Sequence, residues 1–287
     1  MPWNGVLGWI LLLEACLLLL SVATLAAPGG QVRSNPRKYD GSVVTYDPNG
    51  SVFQVEYALE ATKRGSSIVG GCSKECAVLA SWAKPAGVKA YPPKPIKKLH
   101  SHLGLAASGL SSDVEFLSNE ARQWCREHRY IWGTTIPPSR LSRKLADAVH
   151  ACTCQSGQRP MAVDVLVAGS GNGSDPALIR ILPTGSMHRC RLAAAGANAG
   201  SAIKYLVSTM ESLTEDESEA EMVGHVLRAL REAACSGGRD DGLGPLKPEQ
   251  VTIAIFRRDE PLEFCSQEEV ASLLAELEEK LQAESGE

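Results

Sequence analysis

The sequence predicts an α+β fold in which short buried strands alternate with groups of amphipathic helices. The first observation is a set of apolar, β-branched-rich runs, each bounded by glycine, proline or charged residues. These runs are Ser67–Gly71, Cys76–Ser81, Ala162–Ala168, Ala177–Leu182 and Val251–Phe256. The second observation is a Ser or Thr followed three positions later by Glu or Gln, the pattern of a capping box at a helix start. The pairs are Ser51 with Gln54, Ser112 with Glu115, Thr214 with Glu217, and Ser266 with Glu269.

A tight turn and a helix are the first predicted elements of the chain. Pro48 fixes its own φ angle and Gly50 accepts a positive φ, so the chain is predicted to turn at residues 47–50. The helix is predicted over Ser51–Arg64, and Gly65 follows it as a stop signal. Its apolar side recurs at helical spacing through Val52, Val55, Leu59 and Thr62.

The later elements follow in the order strands, two helices, strands, two helices, a strand pair and a final helix. Val251–Phe256 contains few polar residues, so we expect a strand that is covered on both faces. The final helix opens at Ser266 and carries one apolar stripe. That stripe consists of Val270, Leu273, Leu274, Leu277 and Leu281. Residues 235–248 are predicted to form a flexible surface loop, and residues 169–176 an extended hairpin connection.

The segment from Tyr39 to Gly65 closely resembles the N-terminal signature of proteasome α-type subunits. It contains Tyr39-Asp40, then the turn at residues 47–50, then a helix that reads Gln-Val-Glu-Tyr-Ala over Gln54–Ala58. The resemblance continues to about residue 282. It passes through Gly65–Gly70, Ser108–Leu110 and Arg159–Pro160.

This resemblance implies the four-layer αββα sandwich of the N-terminal-nucleophile hydrolase type, with two sheets and helices on both outer sides. Among the subtypes of the family, the α type-1 subunit is the most similar. The reasons are Leu227–Glu232 in the penultimate helix and Gly41, because no Arg follows Asp40. The divisions expected along the chain are an apolar extension (1–30), a gate tail and turn (31–50), the sandwich domain (51–265), and a C-terminal helix with a short acidic tail (266–287).

Catalytic relatives in this family use an N-terminal Thr that self-cleavage exposes, and its free amine acts as the base. Aligned by the first strand, Ser66 occupies that position here, as a degenerate nucleophile. The resemblance implies that the preceding helix is retained, and Trp82 stands for an acidic residue that active relatives carry in the second strand. The supporting Lys has an ambiguous counterpart. We therefore expect a non-catalytic chain, with a self-processing hydrolase acting through Ser66 as the alternative.

The resemblance implies an α-ring subunit of the 20S core particle that assembles with other α subunits in a seven-membered ring and with β-ring subunits. Its gate and inter-subunit residues would be Tyr39, Asp40, Pro48 and Tyr57. Tyrosine hydroxyls and a carboxylate suit hydrogen bonding across subunits in a crowded pore. Such a subunit takes part in ring assembly, gating of substrate entry and activator docking during ubiquitin-dependent protein degradation, in the cytoplasm and nucleus.

The basic residues Lys94, Lys97 and Lys98 lie where α subunits of the family form pockets for the C-terminal carboxylates of activators and regulatory particles. A Lys there would act as a point charge on a carboxylate. Pro95 stands where the family usually has a Lys, and this departure weakens the resemblance at the pocket. A solvated charged turn is the alternative interpretation of the three lysines.

Composition excludes several other classes of function. The net charge is −4, and the Arg and Lys residues are dispersed without interleaved aromatic residues, which argues against nucleic-acid binding. The glycines are not spaced as a phosphate-binding loop that opens a helix. The nine cysteines follow no zinc-site spacing, and Cys152, Cys154 and His150 do not make a complete ligand set. We expect no cofactor and no metal.

The segment Val6–Ala27 is almost continuously apolar, with Glu14 as its single charged residue. It resembles a signal-peptide core, with Leu25–Ala27 as a small-residue cleavage site, but no Lys or Arg precedes Arg33. Three explanations are open: a mistaken upstream start codon, an authentic targeting segment, or a membrane anchor. A membrane partner is expected only if this segment is retained. A secreted or tethered relative outside the proteasome is the further alternative.

Overall fold

Two antiparallel sheets lie face to face, and each carries helices on its outer side. The computed structural model describes residues 39–83, 94–171, 173–210, 217–235, 246–258 and 260–285. The strands are β1 Ser67–Cys72, β2 Cys76–Trp82, β3 Ile96–His100, β4 Leu103–Gly109, β5 Val163–Gly171, β6 Ser174–Ile181, β7 Met187–Cys190, β8 Leu192–Ala195, β9 Val251–Arg257 and β10 Glu263–Phe264. The helices are α1 Phe53–Thr62, α2 Ser111–Trp132, α3 Pro138–Cys154, α4 Ala199–Met210, α5 Glu219–Cys235 and α6 Gln267–Ser285, with a 3₁₀ turn at Pro248–Gln250.

The first sheet has the strand order β10-β9-β2-β1-β8, and the second has the order β3-β4-β5-β6-β7. Successive residues of a strand point to opposite faces, so neighbouring residues of β1 enter different layers. Ile68 lies between the two sheets together with Leu166 and Phe256. Val69 faces outward and belongs to a cluster that includes Val226 of α5. Because both faces are covered, these strands contain continuous apolar runs, as predicted for Val251–Phe256.

Helices α2 and α3 cover the outer face of the second sheet. Leu105 and Val165 of that sheet are buried in one cluster with Leu117 of α2 and Leu145 of α3. On the other side, Val270, Leu274 and Leu277 of α6 are buried in the outer cluster of the first sheet, and Leu273 and Leu281 pack against it. The predicted stripe of the final helix and the four-layer αββα sandwich are therefore confirmed.

The five predicted strands are present with ends shifted by a few residues, whereas β3, β4, β7, β8 and β10 were not predicted. β4 and β8 are rich in Gly and Ala, which have low strand propensity. Packing explains this composition in β4. A side chain at Gly104 would bring its Cβ within 2.5 Å of the Phe256 ring. Only glycine fits beneath this ring. Because glycine has a low strand propensity, the sequence does not indicate a strand here.

The predicted capping boxes have mixed outcomes. Ser266 and Glu269 form one: the Ser266 amide donates to the Glu269 carboxylate at 2.7 Å, and the Glu269 amide donates to the Ser266 hydroxyl at 3.3 Å. The box at Ser112 is wrong, because α2 begins at Ser111 without a side-chain cap and Glu115 pairs with a lysine of β3 instead.

The box predicted at Thr214 is also misplaced. Thr214 lies outside the described residues, and Glu217 precedes the start of α5 at Glu219. Ser218 and Glu221 form the box, since the Ser218 amide donates to the Glu221 carboxylate at 3.1 Å and the Glu221 amide lies 3.5 Å from the Ser218 hydroxyl. The correct pair has the same spacing as the predicted pair but lies one helical turn later.

Two further expectations concern loops and the membrane. The hairpin predicted around residues 169–176 is present, but its connection is shorter than predicted, because β5 continues to Gly171, which pairs with Ser174 at the start of β6. Much of the loop predicted over residues 235–248 lies outside the described residues, as does the apolar segment Val6–Ala27. In the described part of the chain, no helix combines the length and apolarity that a membrane crossing requires.

Candidate functional site

The turn before α1 is organised by the carboxylate of Asp47, which is buried. Its Oδ1 accepts hydrogen bonds from the amides of Asn49 at 2.8 Å and Ser51 at 3.0 Å, and its Oδ2 accepts from the Asn49 side-chain amide at 3.0 Å. The Gly50 amide donates to the Asp47 carbonyl at 2.9 Å, and Gly50 has a φ of 85°. The turn predicted at residues 47–50 is confirmed. The side chain of aspartate commonly stabilises such turns by a hydrogen bond to the backbone two residues later.

The capping box predicted between Ser51 and Gln54 is wrong. Helix α1 begins at Phe53 after Val52, and no side chain caps it. The side-chain amide of Gln54 instead donates to the backbone carbonyl of Asp40, fourteen residues earlier. Gln54 therefore fastens the tail to the helix, a non-local contact that spacing along the sequence does not reveal.

The four predicted gate and inter-subunit residues lie on this tail, turn and helix. Tyr39 and Asp40 are half-buried, and Pro48 is exposed at the turn. Tyr57 is 45% exposed, and its ring stacks on Phe53 one turn earlier, with ring centroids 6.2 Å apart. The turn at Pro48 and the Tyr57 side of α1 are therefore both exposed, while Ala58 and Thr62 of α1 are buried.

Ser66, the predicted degenerate nucleophile, lies between α1 and β1 in a junction of closely approaching backbone. The Gly65 carbonyl accepts a hydrogen bond from the Ala197 amide at 3.3 Å. A Cβ at Gly65 would lie 2.2 Å from the Gly109 nitrogen, and a Cβ at Gly196 would lie 2.1 Å from the Ser66 carbonyl oxygen. The Gly65–Ser66 peptide is half-buried in this junction, and the close approaches require glycine at positions 65 and 196.

Ser108 links α1 to this junction. Its buried hydroxyl donates to the carbonyl of Thr62, the last residue of α1, at 3.1 Å. A Cβ at Gly65 would come within 2.3 Å of the same hydroxyl. The resemblance includes Ser108, but this role was not predicted, because the hydrogen-bond partner of Ser108 lies 46 residues away in the chain.

Trp82 is the last residue of β2 and lies opposite Ser67 in the strand ladder. Its indole nitrogen donates to the Gln250 side chain at 3.0 Å, and its ring belongs to the outer cluster of the first sheet. The ring is only 7% exposed. The pair formed by Ser67 and Trp82 adjoins Ser66, and Trp82 therefore contributes a packed ring at this place rather than a carboxylate.

The three lysines of the predicted activator pocket lie at the start of the second sheet. Lys94 and Lys98 are exposed. Lys97 is in β3 and forms an ion pair with Glu115 of α2, and its side chain is 21% exposed. The pair leaves Lys94 and Lys98 as the more accessible cations of the three. Among the described residues, no group of three or more His, Cys, Asp or Glu side chains could hold a metal ion.

Comparison with known families and proteins matches most of the chain. Residues 39–61 match the family model for the N-terminal signature of A-type proteasome subunits, and residues 62–243 match the model described as "Proteasome subunit". The chain is 30% identical over 240 residues to proteasome subunit alpha type-1 of Drosophila melanogaster, covering 83% of this chain and 84% of that protein. The two models meet at the end of α1, where the helix enters the junction around Ser66. The chain therefore belongs to the proteasome subunit family, in its α-type branch.

Proposed function

We propose that this chain is a non-catalytic α-ring subunit of the 20S proteasome core particle. It contributes to ring assembly, to gating of substrate entry and to activator docking in ubiquitin-dependent protein degradation. The observation that carries the proposal is the match of residues 39–61 to the N-terminal signature of A-type proteasome subunits. The helix in this range, α1, is held to the rest of the domain at its C-terminal end by the hydrogen bond from the Ser108 hydroxyl to the Thr62 carbonyl, which supports its retention.

Chemistry at Ser66 would require a free amine on that residue, because the N-terminal amine is the base of this class of hydrolase. In this chain Ser66 is joined to Gly65, and the Gly65 carbonyl is hydrogen bonded to Ala197. Release of the amine would require cleavage of the Gly65–Ser66 peptide bond, which is half-buried and lies close to the backbone at Gly109 and Gly196. These contacts support a structural role for Ser66.

The proposed gate and inter-subunit residues are Tyr39, Asp40, Pro48 and Tyr57. Asp47 and Gln54 fix the backbone that carries them, through the turn and through the Asp40 carbonyl. The exposed side of Tyr57 can then meet a neighbouring tail with little further ordering of its own backbone. Preorganisation of this kind lowers the entropic cost of assembly.

The proposed activator contacts are Lys94 and Lys98, with Lys97 in a supporting role. Lys97 is already paired with Glu115, so a carboxylate would compete with that ion pair. The partners are other α subunits, β-ring subunits and the C-termini of activators, and the location is the cytoplasm and nucleus. No cofactor, metal or nucleic acid is part of the proposal.

Native size fractionation with peptide mass mapping tests the ring assignment. The full-length chain, expressed in cells that contain proteasomes, is expected to fractionate with other α and β subunits. Migration of the chain alone, or with membranes, would contradict the proposal and favour a relative outside the particle. The most N-terminal peptide recovered from the particle would also show whether residues 6–27 are retained.

A matched pair of tyrosine variants tests the gate assignment. Tyr57→Ala in assembled particles is expected to change the basal hydrolysis of small peptides, because a hydroxyl and ring at the inter-subunit surface are removed. Tyr130→Ala removes a tyrosine that is 92% exposed on α2, and it is expected to leave basal hydrolysis unchanged. Equal effects of the two variants would remove Tyr57 from the proposed gate.

A further inference from the structure

His150 and Cys154 lie one helical turn apart at the exposed C-terminal end of α3. The Nε2 atom of His150 is 3.4 Å from the Cys154 sulfur, within hydrogen-bond reach for a thiol. Both side chains are exposed to solvent. A nucleophile and a base in contact, with the base oriented by a third group, form the arrangement that activates side chains for covalent chemistry.

The third group is the backbone carbonyl of Thr184, in the turn between β6 and β7. It lies 3.4 Å from Nδ1 of His150, and a carbonyl can only accept a hydrogen bond. The Thr153 hydroxyl lies 3.3 Å from the same nitrogen, while it donates its own proton to the His150 carbonyl at 2.8 Å. Both contacts place the imidazole proton on Nδ1. Nε2 is then the unprotonated nitrogen, and it faces the thiol of Cys154.

Gly185 allows this turn to lie against the helix. It has a φ of 82°, and a Cβ built on it would lie 2.5 Å from the Cβ of His150. A residue with a side chain would push the turn and its Thr184 carbonyl away from the imidazole. The orientation of His150 is therefore built into the packing of the β6–β7 turn on α3.

The other described thiols differ from Cys154 in exposure or in partner. Burial raises the pKa of Cys72, Cys125 and Cys265 to about 11, which suppresses their thiolates at neutral pH. Burial also raises the pKa of Cys152. Among the described cysteines, Cys154 and Cys235 are the exposed ones.

Cys235 is a close match for Cys154. Each is the last residue of its helix, so the two thiols have the same position relative to a helix end. The residue one turn before Cys235 is Arg231, which carries a positive charge but cannot accept a proton. Comparison of the two thiols therefore separates the effect of a base from that of a nearby charge.

We propose that Cys154 is a site of covalent modification by low-molecular-weight disulfides and that His150 is the base for this reaction. His150 Nε2 takes the thiol proton, and the Cys154 sulfur attacks one sulfur of the disulfide. A new S–S bond forms as the original S–S bond breaks, and the second half of the reagent leaves as a thiolate, which takes a proton from water. This inference does not depend on the proposed ring function.

The test uses the full-length chain with Cys152→Ser and the reagent bis(2-hydroxyethyl) disulfide at neutral pH. After acid quenching and trypsin digestion, Cys154 is read in the peptide of residues 145–180, because trypsin does not cleave between Arg159 and Pro160, and Cys235 in the peptide of residues 232–239. Without Cys152, each peptide contains one thiol. Cys154 is expected to react at least about fivefold faster than Cys235.

His150→Gln is expected to bring the rate of Cys154 to within about twofold of that of Cys235, because glutamine cannot take the proton. Free imidazole is expected to restore part of the Cys154 rate in His150→Ala, which a purely structural role of the ring would not allow. An unchanged Cys235 rate in each variant shows that the fold is intact. Equal rates for the two thiols in the parent chain, or no effect of His150→Gln, would overturn the proposal. The comparison within the parent chain decides the question even if the His150 variants do not fold.

Discussion

Replacement of Gly65 by alanine tests whether the junction between α1 and β1 is as tight as the structure indicates. The added Cβ would lie 2.2 Å from the Gly109 nitrogen, whereas ordinary contact begins near 3.4 Å. These atoms would therefore have to separate by about 1.2 Å. The obstacle is backbone, and Gly109 is fixed by its pairing with Val163 of β5. The Ser108 hydroxyl, 2.3 Å from the same Cβ, is fixed in turn by Thr62.

Overpacking of this kind costs typically about 1–3 kcal/mol of unfolding free energy. Gly224 provides the matched control, because it lies inside α5 and a Cβ there would meet no atom within 4 Å. Gly224→Ala is expected to stabilise the protein by about 0.5–1 kcal/mol, since alanine is the better helix former. The two variants add the same methyl group, but their effects should have opposite signs and their unfolding free energies should differ by about 1.5–4 kcal/mol.

Equilibrium urea unfolding of the full-length chain, followed by tryptophan fluorescence, measures this difference. The tight junction predicts that Gly65→Ala lowers the denaturation midpoint and that Gly224→Ala raises it. The slope of unfolding free energy against urea concentration should be similar in both variants. A Gly65→Ala protein as stable as the parent would refute the reasoning, because it would mean that α1 is not seated against β4 as described. A shift in the same direction for both variants would also refute it.

Four further variants probe other parts of the chain. Burial lowers the pKa of His102, and burial together with the neighbouring His102 lowers the pKa of His100. The free energy of unfolding should therefore fall as the pH drops below about 6.5, where the unfolded chain takes up the protons, and His102→Gln should flatten this dependence in unfolding measured as a function of pH. Although burial alone raises the pKa of Asp113, hydrogen bonds from Arg159 and the Ala162 amide outweigh it and lower that pKa. Asp113→Asn should therefore lower the unfolding free energy by about 1–3 kcal/mol at neutral pH. This loss should shrink when the pH falls below the usual carboxyl pKa near 3.9, because acid then protonates the carboxylate of the parent protein. A loss that stays constant with pH would contradict the ionic role of Asp113. Ser266→Ala should lower the unfolding free energy by about 1 kcal/mol through loss of the α6 cap, and thermal unfolding measures this loss. An unchanged stability would mean that the cap is not formed in solution. Phe256→Ala should cost about 3–5 kcal/mol in urea unfolding, because it empties space between the sheets, and a loss below 1 kcal/mol would contradict the described packing.

The sequence predicted the elements whose signals are local. The Asp47–Gly50 turn, the Ser266 cap and the apolar stripe of the last helix each depend on residues within a few positions of one another. Val251–Phe256 was also recognisable, because a strand covered on both faces needs a continuous apolar run. These features together with the family signature were sufficient to predict the four-layer arrangement.

The elements that sequence analysis missed depend on partners far away in the chain. β4 contains Gly104 because Phe256 of another sheet fills the space where a side chain would be. Gln54 matched the spacing of a capping box, but its amide binds the Asp40 carbonyl instead. Local spacing identifies residues that are able to form a motif, while tertiary packing decides which partner each side chain finds.

The candidate site shows the same division. Resemblance identified Tyr39, Asp40, Pro48, Tyr57 and the position of Ser66, but it could not show how the helix is attached to the domain. The contact from Ser108 to the end of α1 spans 46 residues. The ion pair of Lys97 with Glu115 also joins elements whose contact only the folded chain reveals. Local signals were therefore less informative about the site than about the fold.

The state of the Gly65–Ser66 bond in assembled particles tests the central claim most directly. Digestion after glutamate residues should release the peptide of residues 61–75, which spans this bond. We expect this peptide to be recovered intact from the fraction that contains the other proteasome subunits. A peptide that begins at Ser66 in that fraction would show that the helix is removed and a free amine is created. That result would contradict the non-catalytic account and make the chain a candidate self-processing hydrolase.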